Sequence, residues 1–170
     1  LNPIFEVLDP AIPTPQTFGA GVEIDALNSS LDQLDVDIRT NKIISNRRNV
    51  PFASANGVIE STATGINLRA EADAQINADI IDNTISYNAG NGIYYTTREE
   101  STTDRRDIGG RVLKNTITFN DGDGIEVAGH HGIQNLLVVG LAGKDSDGRS
   151  LGNVISSNAD HGININHGGK

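Results

Sequence analysis

Three stretches decide the reading of this chain: NTISYNAGNGIYY at 83–95, NTITFNDGDGIEV at 115–127 and NVISSNADHGINI at 153–165, which align without a gap. A degenerate fourth copy, NKIISNRRNV, begins at Asn41. In register, Asn83, Asn115 and Asn153 form one column, Ile85, Ile117 and Ile155 a second, and Asn88, Asn120 and Asn158 a third. Gly92, Gly124 and Gly162 form the next, each followed by Ile. Repetition at this length is the signature of a solenoid, in which one unit cannot bury its apolar face alone and neighbours stack to do so.

Within each copy the Ile alternates with polar neighbours, the period of a half-buried strand, and the Gly-Ile unit opens a second strand of the same kind. Asn and Gly tolerate the left-handed backbone of tight corners, and stacked Asn side chains bond from coil to coil, so the turns are assigned to them. Repeat starts lie 42, 32 and 38 residues apart. That is longer than the bare motif and leaves room in each coil for a third strand and an outward loop. The expected fold is therefore all-β, a single-domain right-handed parallel β-helix of few coils.

The pattern Asn-x-Ile-x-x-Asn-x-x-x-Gly-Ile resembles the repeat of right-handed parallel β-helix proteins, the pectate-lyase-like solenoids. These include pectate and alginate lyases, mannuronan epimerases, phage tailspikes and bacterial surface proteins. The resemblance covers 83–167 well and 41–50 loosely. It implies the coil architecture, while function lies in loops and faces that the repeat columns do not specify.

Composition agrees with layered β structure. Of 170 residues 36% are hydrophobic and 4% aromatic, with no Trp, Met or Cys, so the core must come from Ile, Val, Leu and Ala. Without Cys there are no disulfides, thiolate metal sites or cysteine nucleophiles. A net charge of -9 works against nucleic acid and anionic membrane as non-specific partners, and no apolar run is long enough to insert in a bilayer. The lack of an initiating Met suggests a processed product or a piece of something longer. An extracellular or cell-surface setting fits the Asn-rich, acidic, Cys-free composition.

The flanks divide the chain further. Residues 1–20 hold Pro3, Pro10, Pro13 and Pro15, four of the five prolines, and read as an extended N-terminal arm. Over 21–40, Leu27, Leu31 and Leu34 have the spacing of a short amphipathic capping helix, and 36–40 reads as the first strand. Coils occupy 41–170, with side loops at 96–110 and 140–151.

Several groups could carry chemistry. The turn between paired strands collects Asn91, Asp121, Asp123, Asp160 and His161, with Asn91, Asp123 and His161 in one column. Oxygens at coil spacing could hold calcium, although Asp-Gly and Asn-Gly are also what tight turns prefer. Asp145-x-Asp147-Gly148 opens like a calcium loop but lacks the later Glu. The charged insertion 96–110 contains Arg105 and Arg106. In lyases of similar fold an Arg or Lys beside acidic calcium ligands takes a proton next to a uronate carboxylate, a role these arginines or His161 would fill. His130, His131 and His167 follow second strands of neighbouring coils. Thr84, Ser86, Thr116, Thr118 and Ser156 form a hydroxyl array like the ice-binding face of some β-solenoids, interrupted at Lys42 and Ile44. Asn28 opens a formal glycosylation sequon.

Two functions are expected from these features. The first is a structural or adhesive module that associates with itself by coil stacking or arm insertion, or continues in a longer chain, without a required cofactor. The alternative is a carbohydrate-active or polysaccharide-binding β-helix, with calcium as an optional ligand.

Overall fold

A computed structural model describes residues 20–26, 34–46, 63–71, 74–98, 107–129 and 137–167. These form thirteen strands and no helix. The strands are β1 (Val22–Ala26), β2 (Leu34–Arg39), β3 (Lys42–Ile44), β4 (Ile66–Glu71), β5 (Gln75–Ile81), β6 (Thr84–Ser86), β7 (Ile93–Arg98), β8 (Asp107–Leu113), β9 (Thr116–Thr118), β10 (Ile125–Gly129), β11 (Leu137–Val139), β12 (Val154–Ser156) and β13 (Ile163–His167). Every third strand falls in the same sheet. Sheet A stacks β1-β4-β7-β10-β13, sheet B β2-β5-β8-β11 and sheet C β3-β6-β9-β12, with every pairing parallel. This is a parallel β-helix. At a rung spacing of about 4.8 Å, the five rungs of sheet A span about 19 Å.

Register follows the repeat. Ile43, Ile85, Ile117 and Ile155 stack in sheet C, and Val22, Ile66, Ile93, Ile125 and Ile163 in sheet A. The middle members, Ile66, Ile85, Ile93, Ile117 and Ile125, are fully buried. Each such side chain contributes about 1.5–3 kcal/mol through burial. Sheet B completes the triangle with Ile38, Ile76, Ala78, Ile80 and Val112. Tyr95 is the largest fully buried side chain in this interior. The third-strand expectation is met by sheet B.

Two asparagine ladders run up the corners of sheet C. Asn41, Asn83, Asn115 and Asn153 form one, and Asn46, Asn88, Asn120 and Asn158 the other. In each, the amide oxygen of one rung accepts both the backbone N–H and the Nδ2 of the rung before it, at 2.8–3.3 Å. The left-handed conformations, however, belong to neither ladder. They fall on the residue before every ladder Asn except Asn153: Thr40, Asp82 and Lys114 at one corner, Ser45, Tyr87, Phe119 and Ser157 at the other. The Asn side chain satisfies the corner's backbone while its predecessor makes the bend.

Nor do the motif glycines turn the chain. Gly92 is needed because a Cβ there would lie 2.6 Å from the Gly124 carbonyl oxygen and 2.6 Å from Ile117 Cγ2. The same column includes Gly21 and Gly65, each packed against the next rung, which extends the repeat by two positions toward the N-terminus. Gly65 stands 19 positions after Asn46, where Gly92 stands four after Asn88. That insertion separates the two halves of the first repeat.

At the N-terminal side, Val22–Ala26 is already a strand of the solenoid, and Leu34, expected on a capping helix, opens β2. The strand expected over 36–40 is the second described one, and Thr40 is its left-handed corner. Leu27, Leu31, Asn28 and residues 1–19 lie outside the described residues. Of the side loop expected at 96–110, both flanks are strand, in β7 and β8. The segment 140–152 replaces the corner between sheets B and C in the fourth coil, ending at the ladder residue Asn153.

Candidate functional site

The predicted column is present. Asn91 Oδ1 accepts the Asp123 amide at 2.8 Å, and Asp123 Oδ1 accepts the His161 amide at 2.8 Å. These bonds run opposite to the asparagine ladders, since here each side chain caps the amide of the following rung. Asp123 also holds the ring: its Oδ1 lies 2.8 Å from His161 Nδ1, and its Oδ2 accepts Asn164 Nδ2 at 2.9 Å. The Asp123 side chain is buried, whereas that of His161 is 70% exposed.

Strands β10 and β13 supply two residues the sequence did not single out. Glu126 and Asn164 are register partners on the outer face of sheet A, and Asn91 Nδ2 donates to Glu126 Oε2 at 2.5 Å. Burial opposes ionisation of Asp123, but the bonds from Asn164 and from the amide and ring of His161 prevail and lower its pKa. Burial raises the pKa of Glu126; the Asn91 bond works against this, and the charges of Asp123 and Asp160 add to the rise. An ionised carboxylate orienting an exposed imidazole, beside a carboxyl with a raised pKa, is an arrangement suited to moving protons.

The remaining acidic candidates are elsewhere. Asp121 and Asp160 stand exposed at the turn, held through their backbone amides on Asn88 and Gly122. Asp145 is fully employed in a hairpin. Its Oδ1 accepts the amides of Asp147 and Arg149 at 3.0 and 2.9 Å, and its Oδ2 accepts Lys114 Nζ at 2.8 Å. The Lys114 bond, followed by the backbone amides, holds Asp145 well below the usual carboxylate range. Asp147 pairs with Arg149. Among the described residues no three His, Asp or Glu side chains converge as a metal site. Arg105, Arg106, His130 and His131 lie outside the described residues, as does the side chain of His167.

The hydroxyl array is in register, Thr84 with Thr116 and Val154, and Ser86 with Thr118 and Ser156, with Lys42 and Ile44 at its head. At its edge stands a feature missed in the sequence. Tyr87 and Phe119 stack with ring centroids 5.2 Å apart and planes 5° from parallel. They are 57% and 50% exposed. The signal was the aligned column Tyr87, Phe119, Ser157, where an aromatic residue twice precedes a ladder Asn.

No family model, no curated protein and no solved structure matches this chain.

Proposed function

We propose that this chain is a structural or adhesive β-solenoid module of the cell exterior that associates with a second copy of itself by stacking coil on coil. The supporting observation is the polarity of its two ends. Inside the solenoid each coil donates to the next: Gly65 N–H to Asn91 O, Gly92 N–H to Asp123 O, Gly124 N–H to His161 O. At the last coil the amides of Asn153, Asn158 and Gly162 meet no acceptor among the described residues, and at the first coil Asn41 Oδ1 and Asn46 Oδ1 accept from no described donor. One end offers ladder donors, the other ladder acceptors. The core columns are open in the same place, with Ile163 and Ile165 47% and 72% exposed. Their equivalents Ile93 and Tyr95 are fully covered. Calcium is not required for such stacking.

Gly162 provides the test. Internal glycines of its column would collide with the next rung if given a Cβ, but at Gly162 the nearest neighbour is Ile155 Cγ2 at an ordinary 3.7 Å. Gly162→Ala should therefore leave the single chain's melting temperature unchanged while blocking a coil from docking. Sedimentation and electron microscopy should show linear oligomers of the native chain and monomers of the variant. A native chain that stays monomeric at its highest soluble concentration, or a variant that still oligomerises, would sink the stacking reading.

The Asp123–His161 pair beside Glu126 favours a second reading, a carbohydrate-active β-helix of the pectate-lyase-like kind. Incubation with uronate polymers tests it through the ultraviolet absorbance of a new double bond, which a purely structural module does not generate.

A further inference from the structure

We infer that the Tyr87–Phe119 stack is a binding platform for the neutral sugar rings of a polysaccharide. This deepens the adhesive part of the proposed function and rests on it, but not on end-to-end stacking.

The corner before the second asparagine ladder imposes a left-handed backbone on whatever residue occupies it: φ is 58° at Ser45, 58° at Tyr87, 57° at Phe119 and 56° at Ser157. Bulky side chains are disfavoured there, and a strained conformation retained at an exposed position points to a use for the side chain. Neither ring is part of the core cluster, and about half of each is in solvent. The fold itself shows that serine suffices, since Ser45 and Ser157 make the same corner one rung below and one rung above.

Those serines also define the binding geometry. The rings stack along the solenoid axis, so each has one face against the other ring and one face toward a serine. Both serines are exposed and too small to cover a ring. A pyranose lying over Ser157 against Phe119, or over Ser45 against Tyr87, would take the place of a missing rung in the aromatic column. Aromatic faces are apolar with a negative quadrupole, and they suit the C–H face of a sugar. Exposed Thr116 and Ser156, on the adjoining strands of sheet C, offer hydroxyls to its polar edge. The net charge of -9 favours an uncharged glycan over a polyuronate.

Calorimetric titration of the full chain with cellohexaose, xylohexaose and mannohexaose, and with polygalacturonate for comparison, tests this. At least one neutral hexasaccharide should bind, polygalacturonate should bind less, and the Tyr87→Ser, Phe119→Ser double variant should weaken binding by about tenfold or more. In the native chain the ring resonances of Tyr87 and Phe119 should shift on addition of the same hexasaccharide, a readout that does not depend on the variant folding. Absence of binding by all three neutral probes, preference for polygalacturonate, undiminished binding by the folded double variant, or unmoved ring resonances would overturn the inference. Repeating the titration with Gly162→Ala separates it from stacking, because glycan binding should persist when self-association is lost.

Discussion

The amide oxygen of Asn115 accepts two hydrogen bonds from a single residue one rung away, the backbone N–H of Asn83 at 2.9 Å and its Nδ2 at 3.0 Å. Its own Nδ2 reaches the carbonyls of Ile80 and Leu113 at 2.8 and 3.0 Å and Asn153 Oδ1 at 3.1 Å. Truncating it leaves the buried Asn83 N–H without its acceptor and takes the Nδ2 donor from the Ile80 and Leu113 carbonyls, and each orphaned group costs about 1–3 kcal/mol. Asn115→Ala should therefore destabilise by about 3 kcal/mol in urea unfolding. Asn41→Ala, at the first rung with no earlier Asn to serve, should cost about 1 kcal/mol. Equal losses would show that the ladder does not act rung by rung.

Gly92→Ala places a Cβ against the Gly124 carbonyl oxygen and Ile117 Cγ2, both at 2.6 Å. Gly124, just ahead of β10, is bonded to both neighbouring rungs, its oxygen accepting the Ile93 N–H and its own N–H donating to the His161 carbonyl, and cannot retreat without breaking them. A loss of about 3 kcal/mol is expected, at the upper end of overpacking costs. Gly152→Ala meets only Ser150 Oγ at 3.3 Å, the tip of a small side chain on an exposed loop. Thermal melts of the two variants should differ by several degrees.

How much of this was legible in the sequence depends on what each residue's neighbours are. Asn83, Asn115, Asn153 and the Ile columns announced the coil because each packs against its own copy, and stacking like on like leaves a periodic record. Of the Gly column, Gly65 was hidden because the spacing between the repeat's halves is broken after Asn46, and Gly21 because it precedes the first ladder Asn. Leu34 misled because its three-residue spacing from Leu31 suits a helix, whereas Leu34 itself opens β2. Glu126 and Asn164 gave no signal: they meet across rungs, through a register that only the folded coil sets. Turn assignment went to Asn and Gly on propensity, yet the bend is made by Tyr87 and Phe119, residues that propensity would exclude.

Tyr95 is fully buried on sheet A. Its hydroxyl has no hydrogen-bond partner among the described residues, and burial, followed by the charge of Asp79, raises its pKa. A buried, unpaired hydroxyl is a cost that phenylalanine avoids while filling the same space. Tyr95→Phe should stabilise the fold by about 1 kcal/mol in urea unfolding. A loss of that size would instead mean that the hydroxyl is satisfied in solution.

Asp123 and Glu126 should give stability profiles of opposite sign with pH. The folded pKa of Asp123 is lowered, so its stabilisation is present above the unfolded value and lost as pH falls through the folded one. Asp123→Asn should destabilise near neutrality, and its difference from the native chain should shrink below about pH 4. Glu126 has a raised folded pKa, so the fold favours its protonated form, and that contribution is lost as pH rises through the folded value. Glu126→Gln keeps an oxygen or amide for Asn91 while removing the charge. It should therefore melt above the native chain near neutrality, an advantage that disappears below about pH 4. Melting temperatures of both variants from about pH 3 to about pH 8 would show curves diverging in opposite directions from the native one. Parallel curves would mean that the two carboxyls do not experience the contrasting surroundings that β10 and the His161 turn create around them.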